Sequence, residues 1–290
     1  MKPFTYKQRQ FIYRWLINSR CRIVTQSLYH FIIRCELSLQ ILMDYFARHD
    51  GKAIADLSKL TAIVKTFERT QMATRLVKSI RRFYPSLQVI VVDDSRHPIH
   101  LDGVTTVVLP YDSGISAGRN EGLQQVQTKY TLVLDDDFVF THKTRLQEAL
   151  RIMEDFPEID ILGGKVIDLP LYIAHDLRQA QLLPTKATPV FPLGTHLGGL
   201  TVVDKVPNFF IGRTERLKLV QWDSELKRLD HADFFTRARG VLTTVSKPDF
   251  SILHAKNPFD IAYMMVRYNL SQCLKKLQLR YGGIPQQPTE

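Results

Sequence analysis

Tyr130-Thr131-Leu132-Val133-Leu134-Asp135-Asp136-Asp137-Phe138 passes without a break from an apolar run into three consecutive carboxylates. The apolar half has the composition of a strand covered on both faces. Adjacent carboxylates repel one another, so three of them persist only where a cation or several donors offset their charge. An N-cap for a following helix needs one carboxylate and leaves the other two unexplained. Side chains alternate along an extended chain, which puts Asp135 and Asp137 on one side and Asp136 on the other. Oxygen ligands in that arrangement suit Mg²⁺ or Mn²⁺.

On either side of this centre, short apolar runs alternate with amphipathic segments. Thr61–Phe67 predicts a first strand, and Leu76, Val77, Ile80 and Phe83 give the next segment one helical apolar face that Pro85 ends. Leu87–Val92 predicts a second, buried strand closing in Asp93-Asp94-Ser95, and Thr105–Leu109 a third. A helix over Ser116–Val126 precedes the strand at Tyr130–Leu134; a helix marked by Leu146, Ala149, Leu150 and Met153 and a strand at Ile159–Leu162 follow it. The alternation predicts an α/β fold with a mostly parallel central sheet flanked by helices. In such a sheet ligands bind outside the carboxyl ends of the strands. The two acidic strand ends, at Asp93-Asp94 and Asp135-Asp136-Asp137, are therefore expected on one rim.

Further on, Pro170, Pro184, Pro189, Pro192, Gly194, Gly198 and Gly199 predict loops or a β-ribbon over 168–200, an insert expected to shape a substrate pocket. Asn208–Ile211 reads as a strand, Thr214–Val220 and His231–Ala238 as short helices, Val241–Val245 and Ser251–His254 as strands, and Ile261–Leu279 as one closing helix. Trp222 and Phe209-Phe210 offer an apolar platform for a sugar face, although aromatic residues so spaced are more often core.

A divalent cation on an otherwise neutral rim points to a phosphorylated substrate whose leaving charge the metal offsets. The chain has no Walker loop and no GxGxxG, so an NTPase or a dinucleotide-dependent dehydrogenase is not expected. Nucleotide-sugar binding is the remaining common use of an Asp-x-Asp after a strand. An inactive nucleotide-sugar-binding scaffold is one alternative; the intact Asp-x-Asp weighs against it. A sugar-phosphate nucleotidyltransferase is another, but it would carry a Gly-rich basic loop after the first strand, and Lys65–Arg69 contains no glycine.

In order along the chain stand Val64-Lys65-Thr66-Phe67-Glu68-Arg69, Ser79-Ile80-Arg81-Arg82-Phe83-Tyr84-Pro85, Val92-Asp93-Asp94-Ser95, Ala117-Gly118-Arg119-Asn120 and Asp135-Asp136-Asp137-Phe138. Gly163-Gly164, Asn208-Phe209-Phe210, His231-Ala232-Asp233-Phe234-Phe235 and His254-Ala255-Lys256 follow. Over roughly 60–256 this set resembles a family-two GT-A glycosyltransferase, and more narrowly the β-1,4-N-acetylgalactosaminyltransferases that include the ganglioside synthases. The resemblance implies the GT-A nucleotide-diphospho-sugar transferase fold. It also implies a metal-dependent inverting hexosyltransferase that moves an N-acetylhexosamine, GalNAc favoured, from a UDP-sugar to a hydroxyl of a glycan or glycolipid. Carried onto this sequence, it puts Thr66 and Arg69 in the nucleotide pocket, Asp94 against the uracil ring, and Arg119 near the donor phosphates or sugar. Asp135 and Asp136 would serve the nucleotide, Asp135 and Asp137 the metal, and His254 a third metal position. A bland reading of Arg119, as a helix-surface residue paired with Asp112, stands beside the functional one.

Direct displacement also needs a general base across the sugar from the metal. Asp233 matches the acidic position of the close family and His231 the base position of more distant members, with Asp233 favoured. The bland alternative makes Asp230 an N-cap and Asp233 a first-turn partner of the helix dipole.

The 290 residues are 44% hydrophobic, 10% aromatic and carry a net charge of +10. Residues 1–48 hold +6 of that charge and 256–290 another +3, so 49–255 is nearly neutral. A nucleic-acid-binding core is therefore not expected. Cys21, Cys35 and Cys273 are odd in number and lack metal-ligand spacing, so a disulfide framework or zinc ribbon is not expected and a reducing compartment fits best. Three regions are expected: an amphipathic helical segment over 1–56, the transferase domain over 57–256, and a C-terminal helix and tail over 257–290. No signal peptide is read in Phe11–Ile17, and the uncharged stretch Ile23–Ile33 is about half the ~20 residues that span a bilayer. Val24, Leu28, Phe31, Ile32, Cys35, Leu39, Leu42 and Phe46 recur at helical spacing among Arg22, Arg34 and Arg48. Together with Phe4, Phe11 and Trp15 they predict peripheral contact with an anionic membrane on its cytoplasmic face. The competing expectation is that these helices cover the back of the sheet.

Overall fold

The computed structural model describes residues 22–47, 57–174, 177 and 180–282. Phe4, Phe11, Trp15, Cys21 and Arg48 lie outside them. Helix α1 (Arg22–Ala47) is followed by a short 3₁₀ turn, Leu57–Lys59, which feeds β1 (Leu60–Thr66), α2 (Thr70–Phe83), β2 (Gln88–Asp93) and β3 (Thr105–Val108). Next come α3 (Ile115–Gln125), β4 (Tyr130–Asp135), β5 (Phe138–Val139), α4 (Leu146–Asp155) and β6 (Ile161–Asp168). The remainder is β7 (Ile173–Ala174), β8 (His196–Leu197), β9 (Leu200–Val202), β10 (Phe210–Arg213), α5 (Thr214–Val220), α6 (Asp230–Ala238), β11 (Thr244–His254), α7 (Ile261–Arg267) and α8 (Ser271–Tyr281).

The strands form one sheet in the order β3-β2-β1-β4-β10-β6-β11-β9-β8, with β5 on β11 and β7 on β6. Pairing is parallel across β3-β2-β1-β4 and again between β6 and β11, while β10 is antiparallel to both its neighbours. Strands β1, β2 and β4 are buried on both faces, which is why they read as continuous apolar runs. Alternation divides them cleanly. Leu60, Ala62 and Val64 of β1, with Val89, Val91, Leu132 and Leu134, pack with Leu76 and Ile80 of α2 and Leu150 and Met153 of α4. Ile63, Ile90, Val92 and Val133 face the opposite way, onto Leu123 of α3 and Phe234 and Phe235 of α6. Trp222, Phe209 and Phe210 are all in the core, so none offers a sugar platform.

Several expected boundaries move. Only Thr244-Val245 of the strand expected at Val241–Val245 is extended, and with Ser251–His254 it belongs to one long strand, β11, whose register with β6 shifts between Ser246 and Ser251. Pro248, which has no N–H to give the ladder, lies in that gap. The strand expected at Asn208 starts at Phe210 and runs directly into α5. The insert over 168–200 contributes a ribbon: β8 and β9 close a hairpin through Gly198-Gly199, both at positive φ as a two-residue turn of matching twist requires. The closing helix is broken after Arg267, around Asn269, a residue whose side chain competes for backbone bonds inside helices. The break turns α7 and α8 so that Tyr263, Arg267, Leu270, Leu274 and Leu277 all face the cleft described below.

Helix α1 docks on this body by a narrow face. Tyr29, Ile33, Gln40 and Asp44 are buried; the Tyr29 hydroxyl donates to the Lys256 carbonyl at 3.0 Å and Asp44 Oδ1 accepts from the His142 amide at 3.1 Å. Its other face shows Val24, Leu28, Phe31, Leu39, Leu42 and Phe46, all more than half exposed. The apolar stripe legible in the sequence thus points away from the sheet. Among the described residues no helix is long and apolar enough to cross a membrane.

Candidate active site

Parallel pairing brings the carboxyl ends of β1, β2 and β4 to one rim, where a cleft of about 660 Å³ opens. Thr66, Arg69, Asp94, Asp135, Asp136, Asp137, His231 and His254 all line it. Eight of the sequence candidates thus meet in one place, drawn from five parts of the chain.

The acidic run is offset by two arginines, Arg69 for Asp136 and Asp137 and Arg119 for Asp135. Asp136, facing opposite to its neighbours, is 1% exposed and accepts from the Thr66 hydroxyl at 2.8 Å and from Arg69. Burial raises its carboxyl to about 6, against the pull of Arg69. Asp137 takes the other arm of the Arg69 guanidinium at 2.9 Å. Burial alone would raise Asp137, but His254 and Arg69 outweigh it and hold the carboxyl well below the usual carboxylate range. Asp135, at the strand edge, turns its carboxylate to Arg119 at 2.6 Å.

Among the described residues, no three carboxylate, His or Cys side chains converge on a metal-sized point. Asp135 therefore stands apart from the expected metal set. Asp137 and His254 do meet: Nε2 lies 2.9 Å from Oδ1, yet this buried oxygen makes no hydrogen bond of acceptable geometry. Asp168 holds the other ring nitrogen, Nδ1, at 2.8 Å, and is itself paired with Lys256. A histidine fixed from behind by a carboxylate, with its front nitrogen and a carboxylate oxygen face to face, offers two of the ligands that a divalent cation would need. The chemistry of these two side chains is compatible with Mn²⁺ or Mg²⁺, which they would hold only with further ligands from outside the protein.

Two expected roles are not supported by position. Arg119 is 2% exposed and sits behind the cleft wall, where it holds Asp135 and Asp230 and lies 5.7 Å from the Trp222 ring. It can orient those carboxylates but does not reach a donor. Its bland alternative fails as well, because Asp112 pairs with Lys227 and Arg228. Asp233, favoured as the base, is wholly buried and does not line the cleft. Its oxygens accept from Arg237 at 2.7 Å, Arg280 at 2.8 Å and the Tyr281 hydroxyl at 2.7 Å. One turn of helix explains this: Asp233 lies on the side of α6 that faces α8, while Asp230 and His231 line the cleft. Nor is Asp230 a cap, since the helix begins with it after Leu229, which has a left-handed backbone.

His231 is held at Nε2, 2.7 Å from the Val206 carbonyl, and meets Phe235 edge to face. A carbonyl only accepts, so Nε2 carries a proton, while Nδ1 is buried.

Sequence reading missed Lys65, whose ammonium reaches Asp94 in a buried pair. Burial lowers that lysine despite its carboxylate partners. Gly118 is the legible trace of this contact, because a Cβ there would fall on the Lys65 side chain. Asp94 also accepts from the Gly114 amide at 2.9 Å, so its role at a nucleobase has to coexist with two donors already in place. Asp168 was missed because nothing in its local sequence marks it. Residues of α7 and α8 were missed because a closing helix carries no signal of what it covers.

The sequence pattern of glycosyl transferase family 2 matches residues 61–218. Human β-1,4 N-acetylgalactosaminyltransferase 1 is 37% identical over 208 residues, covering 68% of this chain and 39% of that protein. Mouse β-1,4 N-acetylgalactosaminyltransferase 2 is 35% identical over 206 residues, covering 67% and 39%. The chain thus spans about two fifths of the length of these relatives. Among solved structures, S. aureus TarS 1-349 superposes with a TM-score of 0.52 at 19% identity, over 72% of this chain and 64% of that one. Its complex with UDP-GlcNAc gives the same TM-score, at 18% identity over 68% and 58%. The shared feature is the GT-A-type fold, a mostly parallel sheet flanked by helices.

Proposed function

The chain belongs to glycosyl transferase family 2, and on that premise we propose that it is a metal-dependent inverting transferase. It moves an N-acetylhexosamine, GalNAc favoured, from a UDP-sugar to a hydroxyl of a glycan or glycolipid. The observation that carries this reading is the meeting, in one cleft, of the Asp137–His254 pair with Asp94 at one strand end and His231 at the head of α6. The identity with N-acetylgalactosaminyltransferases supports the choice of sugar.

In this reading Asp94 and Thr66 lie along the nucleoside, and Asp137 with His254 hold Mn²⁺ or Mg²⁺. The cation supplies Lewis-acid stabilisation of the charge that develops on the departing diphosphate. His231 takes the role first assigned to Asp233. With Nε2–H fixed by Val206, the His231 imidazole removes the acceptor hydroxyl proton as the oxygen attacks the anomeric carbon from the side opposite UDP. One displacement of this kind inverts the anomeric centre. Asp135 and Asp230 are kept in place by the shared Arg119. The test is calorimetry with UDP, with and without Mn²⁺, followed by mass analysis of products from UDP-GalNAc and UDP-GlcNAc. UDP release with a glycosylated product is expected; pyrophosphate release would assign a nucleotidyltransferase, and tight binding without product an inactive scaffold.

The same reading puts the acceptor at a cytoplasmic membrane face. Residues 1–48 carry +6, and Leu28, Phe31 and Phe46 project from α1 away from the body. Each basic residue near an anionic surface contributes about 1 kcal/mol before screening. Sedimentation with anionic and neutral liposomes across a salt series is expected to show salt-sensitive binding to the anionic vesicles alone. Replacing Leu28, Phe31 and Phe46 together by serine should release the protein while leaving it folded, since none of the three is buried.

A further inference from the structure

We propose that the C-terminal hairpin α7–α8 is part of the donor site and that Arg267 binds the diphosphate of the nucleotide sugar, a reading that rests on the donor assignment above. The argument is one of committed and uncommitted charge. Lys65 is taken by Asp94, Arg69 by Asp136 and Asp137, and Lys227 and Arg228 by Asp112, while Lys205 is buried in the wall and is not without a partner. Arg267 lines the same cleft, and its charge is felt by Asp137, Asp135 and, repulsively, Arg69. Among the described residues it forms no hydrogen bond or ion pair with any of them.

A planar guanidinium that lines the cleft with the Asp137–His254 pair, without closing on a carboxylate, is matched to two oxygens of an anion such as a phosphoryl group. Arg267 is exposed at the mouth of the cleft and so is open to a ligand. Here the face is set by Tyr263, one turn earlier, whose ring lies 4.1 Å from the Arg69 guanidinium. The hairpin's position does not depend on Arg267. Cys273 and Leu277 of α8 pack with Leu183, Leu226 and Ala232. Arg280 and Tyr281 bolt the end of α8 to Asp233, and Arg280 reaches Asp223 as well. Asp233 is thus the anchor of the hairpin that carries Arg267.

The experiment compares the full chain with Arg267→Ala and Arg267→Lys by calorimetry, using UDP, uridine and pyrophosphate in the presence of Mn²⁺, with thermal melting as a fold control. Arg267→Ala is expected to weaken UDP and pyrophosphate by about 10–100-fold, the usual worth of a hydrogen-bonded charge, with uridine and melting unchanged. The lysine variant should recover part of the loss. Unchanged affinity for both phosphate ligands in Arg267→Ala overturns the proposal and leaves the donor reading standing. Loss of pyrophosphate affinity in a protein that binds UDP no better than other nucleoside diphosphates supports Arg267 and overturns the uridine reading. A wild-type chain that binds neither pyrophosphate nor any nucleoside diphosphate overturns both.

Discussion

Replacing His231 by glutamine is expected to lower turnover by roughly 10²–10⁴-fold, the usual worth of a positioned base, while UDP binding stays within a factor of a few. Glutamine keeps an N–H that can reach the Val206 carbonyl, so the anchor seen at Nε2 survives and only the basic nitrogen is lost. Steady-state kinetics should put the loss in kcat with little change in the donor KM. Asp233→Asn supplies the contrast. It takes charge from a wholly buried carboxylate that serves Arg237, Arg280 and Tyr281, and so it loosens α8 without touching the chemistry directly. Leaving buried donors poorly satisfied costs about 1–3 kcal/mol, which would lower the melting temperature by several degrees. The reverse result, full stability with a 10²-fold loss in Asp233→Asn and near-normal turnover in His231→Gln, would return the base to Asp233.

Asp137→Ala is expected to abolish metal-dependent UDP binding altogether. This residue supplies the buried oxygen that faces His254, and it also holds one arm of Arg69, so its removal opens the cation position and frees the guanidinium that Asp136 shares. Calorimetry with UDP and Mn²⁺ should show no heat beyond that of the metal-free titration. Asp168→Asn gives a graded version of the same result. Its carboxylate fixes His254 from behind, and a partner of that kind is typically worth about 10–100-fold in metal affinity. UDP binding that is equally strong with and without Mn²⁺ in the wild-type chain would remove the metal from the scheme.

The two roles assigned to α6 show where reading along a chain fails. Asp230, His231 and Asp233 lie within one turn, and every one of them is a plausible acid or base by composition. Which of them reaches the cleft depends on how the helix is rotated, and that rotation is set by Phe234 and Phe235 packing against Phe210 and Trp222. Arg119 follows the same logic. Its place in Ala-Gly-Arg-Asn is right for the rim, but α3 buries it between Asp135 and Asp230.

By itself, the sequence determined the α/β alternation, the parallel half of the sheet and the rim on which Asp94 and Asp135–Asp137 meet. These follow from local signals: apolar runs of strand length, an amphipathic period between them, and carboxylates at the strand ends. Only the tertiary structure decided that Asp137 pairs with His254 and Asp135 does not, that Asp233 is an anchor, and that α1 turns its apolar stripe outward. It alone brought Arg267 and Tyr263 over the cleft, 130 residues after the carboxylates they face. The physical reason is common to all four. Each depends on which side of an element faces a partner distant in sequence, and an amphipathic period records that a helix has two faces without recording what each face meets.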